Sequence, residues 1–186
     1  MKRRLVVGLA LALLLISAVG AFAYEKGSRT YSWMASFNRP GQVNVYAAVG
    51  LYPYGFDITG GAEIILGNFD ISGVPLEWGL EGRGLIGFAN VAGFGSWMDW
   101  GAAPMVTLHW GMDFGKGLKF ELYGALGLGL YGTGGTYYSF TGYGPFLGFA
   151  GGGGVAWHFA DSFSLILDSA YVGWTGVFGI GIKVDL

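Results

Sequence analysis

The chain contains no cysteine in 186 residues. A secreted domain of this kind has no disulfide to lean on, and a lipid anchor on an N-terminal cysteine is excluded. Charge is also scarce, at 12% of residues, about half the roughly 25% of ordinary globular domains. So few charges cannot cover a water-facing surface of normal polarity. After Tyr24 no uninterrupted apolar run reaches the roughly 20 residues that a transmembrane helix needs, because glycines and charges interrupt every candidate. If this chain crosses a membrane, it crosses as strands.

Aromatic residues, at 17%, and a mean hydropathy of +0.49 point to a lipid environment. The chain opens with Met1, Lys2, Arg3 and Arg4, continues with an apolar stretch over 5–16, and reaches small residues ending in Ala21, Phe22 and Ala23. This pattern predicts a secretory signal peptide over 1–23, cleaved before Tyr24. Without Lys2, Arg3 and Arg4, seven basic residues face twelve acidic ones, a net charge of −5. Nucleic acid is therefore not an expected partner. Nothing divides the remainder into two domains, so the expectation is an extension over 24–40 followed by one barrel over 41–186.

A sheet in hydrocarbon must close on itself, since open edges would leave backbone groups unpaired, and its strands must alternate lipid-facing with lumen-facing residues. Eight segments do this, at 42–52, 56–67, 76–89, 102–114, 118–131, 146–159, 163–173 and 178–186. In 118–131 the residues Leu118, Phe120, Leu122, Leu126, Leu128 and Leu130 share one face. Lys119, Glu121, Tyr123, Ala125, Gly127 and Gly129 share the other. A helix, with its period of 3.6, would scatter these leucines. The predicted fold is all-β, a closed antiparallel eight-stranded transmembrane β-barrel.

Short turns are expected at 115–117 and 160–162, longer loops at 90–100 and 132–144, and tight connections near Pro53 and Trp174. Outward-facing Trp78, Trp110, Phe114, Phe120, Trp157, Phe159 and Phe163 cluster at the strand ends nearest the short turns and predict a periplasmic girdle. Tyr52, Tyr54, Phe88, Tyr171 and Phe178 are expected at the opposite interface, with Trp97 and Trp100 in a loop above it.

The predicted lumen has two halves. Towards the periplasm lie Glu63, Glu77, Glu81, Arg83, His109, Asp113, Lys119, Glu121, His158, Asp168, Lys183 and Asp185. Counting across the turns places Asp113 opposite Lys119 and Glu81 near His109. A hydrogen-bonded ionic plug is expected, because unpaired charges in a narrow lumen are costly. Towards the outside the inward residues are mostly Gly and Ala. That leaves a vestibule, a cavity for a small apolar ligand, room for a tucked segment within 25–40, or glycines that merely ease curvature.

No catalytic or metal site emerges, and no cofactor is expected. His158 and Ser164 face inward across a short turn, but Asp168 is four residues on, about 13 Å along a strand, too far to orient the histidine. Two histidines without a third ligand do not define a metal site. The run 151–154 lacks the lysine and helix of a phosphate loop. The function predicted is that of a non-enzymatic, monomeric barrel, structural or a narrow gated channel. The alternatives are a barrel that takes up a small apolar ligand and releases it sideways into lipid, and a lipid-modifying enzyme. A soluble lipocalin-type barrel is the rival at the level of fold, and it would put the leucine faces inside.

The signal peptide, the eight alternating strands and the apolar last strand together resemble the small outer-membrane β-barrel proteins of the opacity-type and outer-membrane-protein-W-like group. The resemblance covers about 43–186. It implies a bacterial outer-membrane location, contact with outer-membrane lipid, and recognition by the barrel assembly machinery of a signal in the last strand. Phe178, Ile180, Ile182, Val184 and Leu186 match the alternation of such a signal, with Leu186 standing where phenylalanine is usual.

Overall fold

The computed structural model describes residues 33–52, 55–91, 95–135 and 143–186. The expected signal peptide, most of the extension and Tyr54 lie outside them. A two-residue strand, β1 (Met34–Ala35), precedes eight long ones: β2 (Val43–Tyr52), β3 (Gly55–Ile71), β4 (Val74–Val91), β5 (Gly95–Asp113), β6 (Lys119–Gly135), β7 (Tyr143–Ala160), β8 (Phe163–Val172) and β9 (Thr175–Asp185). Each of these eight pairs antiparallel with its neighbour in sequence. The ring closes where β2 meets β9, from Asn44 opposite Asp185 to Val49 opposite Ile180. Every wall strand therefore has two neighbours, the condition for burying a sheet in hydrocarbon.

Burial follows the period of two. Along β8 exposed and buried residues alternate without a break over ten positions. Leu126 is 71% exposed and Leu147 72%, while Glu77, Glu81, Arg83, Glu121, Asp168 and Lys183 are buried. The apolar faces point outward and the charges inward, which overturns the soluble lipocalin-type rival. The protein is a transmembrane β-barrel with a lipid-facing aliphatic belt.

At the end where β2 begins and β9 ends the turns are short. Ser72 and Gly73 both have positive φ, 55° and 88°, as a two-residue primed hairpin turn requires. Asp70 Oδ1 accepts the Gly73 N–H at 2.6 Å. At the opposite end the expected loop over 90–100 is largely sheet, since β4 runs to Val91 and β5 starts at Gly95. Trp97 lies opposite Ala89 and Gly135, and Trp100 opposite Ile86 and Gly132. Both are strand residues, correcting the loop assignment. The strands β3 to β7 have 17–19 residues, well past the 9–11 that cross a bilayer. Beyond the hydrocarbon both faces are wet, so no apolar alternation marks the strand there.

β1 fills a gap in the wall. β4 continues to Val74, yet it pairs with β5 only from Glu77 opposite His109. A register irregularity in β3 between Ile65 and Gly67 marks the level at which the β3–β4 hairpin leaves the ring. The vacated edge of β5 is taken by β1, with Met34 opposite Met112 and Ala35 opposite Gly111.

Candidate functional site: the lumen

The inward parity of eight strands places the ionisable side chains in two tiers. In the lower one Glu121, 0% exposed, is the hub. Lys183 Nζ donates to its two oxygens at 2.9 and 3.0 Å. His109 Nδ1 lies 2.8 Å from Oε1, His158 Nε2 lies 3.1 Å from Oε2, and Asn38 Nδ2 donates at 3.2 Å. The other His109 nitrogen is 2.6 Å from Glu63 Oε1. Glu63 also accepts from the Thr107 hydroxyl and, at 3.3 Å, from Asn44 Nδ2.

In the upper tier Arg83 joins two strands' worth of carboxylates. Its Nε meets Glu81 at 2.5 Å, and its Nη1 lies 3.2 Å from both Asp168 oxygens. The Tyr123 hydroxyl donates to Asp168 at 2.7 Å, the Tyr46 hydroxyl to Glu81, and the guanidinium carbon sits 5.0 Å from the Tyr46 ring centre. Gly152 leaves the guanidinium its seat, since a Cβ there would overlap Nη1. Between the tiers remains a void of about 20 Å³, lined by Tyr46, Glu63, Glu81, Arg83, His109, Glu121, Tyr123, Ile166 and Lys183. That is room for about one water molecule.

In the outer half the described inward side chains pack together as well. Leu85, Met105, Tyr131, Val172 and Val177 pack with Ala103, Ala125, Ala150 and Ala170 into one buried apolar cluster. Gly127, Gly129 and Gly148 are walls that these side chains press against: a Cβ on Gly148 would lie 2.6 Å from Tyr131 Cε1. The small-residue half is therefore no empty vestibule. The tucked segment is found at the opposite, charged end, where Ser36 and Asn38 bind Glu77.

Of the residues singled out in the sequence, Glu63, Glu77, Glu81, Arg83, His109, Glu121, Asp168 and Lys183 lie in these tiers or beneath them. Asp113 is opposite Lys119, half-buried at the rim, where its carboxylate accepts the Gly115 N–H at 2.8 Å. The expected pairing of Glu81 with His109 is corrected: Glu77 faces His109, and Glu81 faces Met105. The β4–β5 turn is centred two residues earlier than 90–100 implies, which shifts the cross-strand partner by four. Sequence reasoning misses Asn44, Tyr46, Tyr123 and Asn38 as network members. The first three fall on inward parity and are legible there, whereas Asn38 precedes any alternation and carries no signal.

His158 Nδ1 is 2.9 Å from Ser164 Oγ, and its other nitrogen meets Glu121 rather than Asp168. The acid in this serine–histidine line comes from β6, not from the serine's own strand. Ser164 is 0% exposed. Among the described residues no group of three or more His, Asp and Glu is arranged to hold a metal ion.

Ring, belt and filled lumen define an eight-stranded transmembrane β-barrel of the outer-membrane type. No protein-family model matches the chain, and no curated protein matches it. Among solved structures, Ail, the attachment invasion locus protein of Yersinia pestis, in complex with the heparin analogue sucrose octasulfate, aligns at a TM-score of 0.47 with 12% identity, covering 78% of this chain and 96% of that one. Ail in a phospholipid bilayer nanodisc aligns at 0.41 with 16% identity, over 78% and 99%. A de novo designed transmembrane β-barrel aligns at 0.42 with 14% identity, over 80% and 98%. The fold assignment rests on the closed ring described above.

Proposed function

We propose that the protein is a monomeric, non-enzymatic barrel of the bacterial outer membrane, exported with loss of residues 1–23, whose sealed lumen makes it a structural element and not a standing channel. The observation that carries this reading is the packing of the described lumen residues: two ionic tiers below, with space for about one water between them, and an apolar cluster above. An eight-stranded barrel has an interior that side chains can just fill, and the two tiers and the apolar cluster support that reading. Lateral uptake of a small apolar ligand loses its support, because Leu85, Met105 and Tyr131 occupy the space such a ligand would need. The acid that faces His158 is Glu121, already tied to Lys183, His109 and Asn38, which supports the non-enzymatic reading. β9, with Phe178, Ile180, Ile182, Val184 and Leu186, is the strand proposed to be read by the assembly machinery.

Planar-bilayer conductance of the refolded protein tests the sealed lumen. The expected result is a silent membrane for the natural chain and also for a variant with Glu81 and Arg83 both replaced by neutral residues, because the apolar cluster above still blocks the lumen. Sustained conductance by the natural chain would overturn the structural reading and establish a channel.

A further inference from the structure

We propose that residues 33–38 form a hinged strap that closes the periplasmic mouth of the barrel reversibly, with Glu77 as its latch. The strap is held at three places, the first being the pairing of Met34 and Ala35 with Met112 and Gly111 of β5. At the rim the Asp113 N–H donates to the Trp33 carbonyl at 2.7 Å, and the Trp33 ring stacks on Phe114 with centroids 5.9 Å apart. Inside, Glu77 accepts from the Ser36 hydroxyl, from the Asn38 N–H at 3.1 Å and from the Asn38 side-chain amide. The Phe37 ring covers His158 at 4.7 Å.

Three features make this a closure and not a fixed wall. The ring of eight strands closes through β2 and β9 without the strap, whose β1 residues pair with one strand, β5, at the edge of the sheet. Its covalent link to the wall runs through Gly41, at φ +87°, a conformation that glycine adopts freely. Apart from Phe37 on His158, its inner contacts are hydrogen bonds: every one described for the Glu77 carboxylate comes from the strap, and Asn38 also donates to Glu121 and accepts from Asn44. When the strap leaves, Glu77 meets water at the open mouth instead of remaining a buried unpaired charge, so opening avoids the usual penalty. An apolar plug would gain nothing from water on opening.

The inference rests on the sealed-lumen reading, but the two fail separately. The apolar cluster above stays in place when the strap opens, so lumen access from below needs no conductance. Because the chain has no cysteine, Ser164→Cys places one thiol beneath Phe37 and His158. Labelling of the folded full chain by a small water-soluble maleimide, followed by mass spectrometry of the peptide that spans position 164, reads access. Labelling is expected to be slow, and Asn38→Ala is expected to speed it about ten- to a hundredfold, the effect of losing a charge-assisted hydrogen bond. Adding Met34→Cys and Met112→Cys, which face each other across β1 and β5, provides a disulfide lock at cross-strand spacing. The oxidised lock should stop labelling, and reduction should restore it. Equal rates with the lock oxidised and reduced would overturn the proposal, as would an unlabelled position 164 in a folded Asn38→Ala barrel. If Asn38→Ala does not fold, as judged by mobility of unboiled samples on gels, the lock comparison alone decides.

Discussion

Glu121 takes hydrogen bonds from Lys183, Asn38 and two histidines while wholly removed from water. A buried ion pair adds little net stability compared with an apolar pair, but removing one partner strands the other. Lys183→Met should therefore lower unfolding stability by about 3–5 kcal/mol. Adding Glu121→Gln should recover a large part of that loss, measured as urea midpoints in lipid vesicles. If the double variant is as unstable as the sum of the single ones, the two groups are uncoupled. The outer half makes a different prediction. Gly148→Ala drives a methyl into Tyr131, and overpacking of this kind costs about 1–3 kcal/mol. An unchanged urea midpoint would mean that the space is open after all.

At the scale of elements, each strand presents a lipid face and a lumen face, and the cost of one substitution on the lipid face changes with depth. Leu128, exposed in the middle of β6, should cost about 2–4 kcal/mol on replacement by arginine. Phe163, exposed at the first position of β8, should cost about 0–1 kcal/mol on the same replacement. Folding titrations of the two variants check the gradient, and equal costs would place the belt elsewhere on the wall. β1 shows how an element can exist only through its surroundings. Two residues have no independent tendency to form a strand; the edge of β5 vacated by the departing β3–β4 hairpin supplies the pairing.

For the whole molecule, export and assembly make a direct prediction. The protein isolated from membranes should begin at Tyr24, as read by N-terminal sequencing, and should run as a monomer by light scattering with the detergent contribution subtracted. A mature chain retaining Lys2 to Arg4 would mean that the apolar stretch over 5–16 is an anchor.

The period of two, carried by residues such as Leu118 to Leu130, determined from sequence alone that the chain is a barrel and which residues face lipid. The reason is that hydrocarbon penalises every polar outward residue, so the pattern is enforced locally, strand by strand. The pattern fades wherever water wets both faces, which is why the outer ends of β4 and β5, the position of their turn and the partner of His109 are not legible in it. Only the tertiary structure decided how the lumen is filled. Whether an inward glycine faces a void or the ring of Tyr131, and whether Glu77 meets His109 or Asn38, depends on the stagger of strands around a closed ring. No single strand encodes that stagger, because it is settled by contacts between residues tens of positions apart that must share one narrow interior.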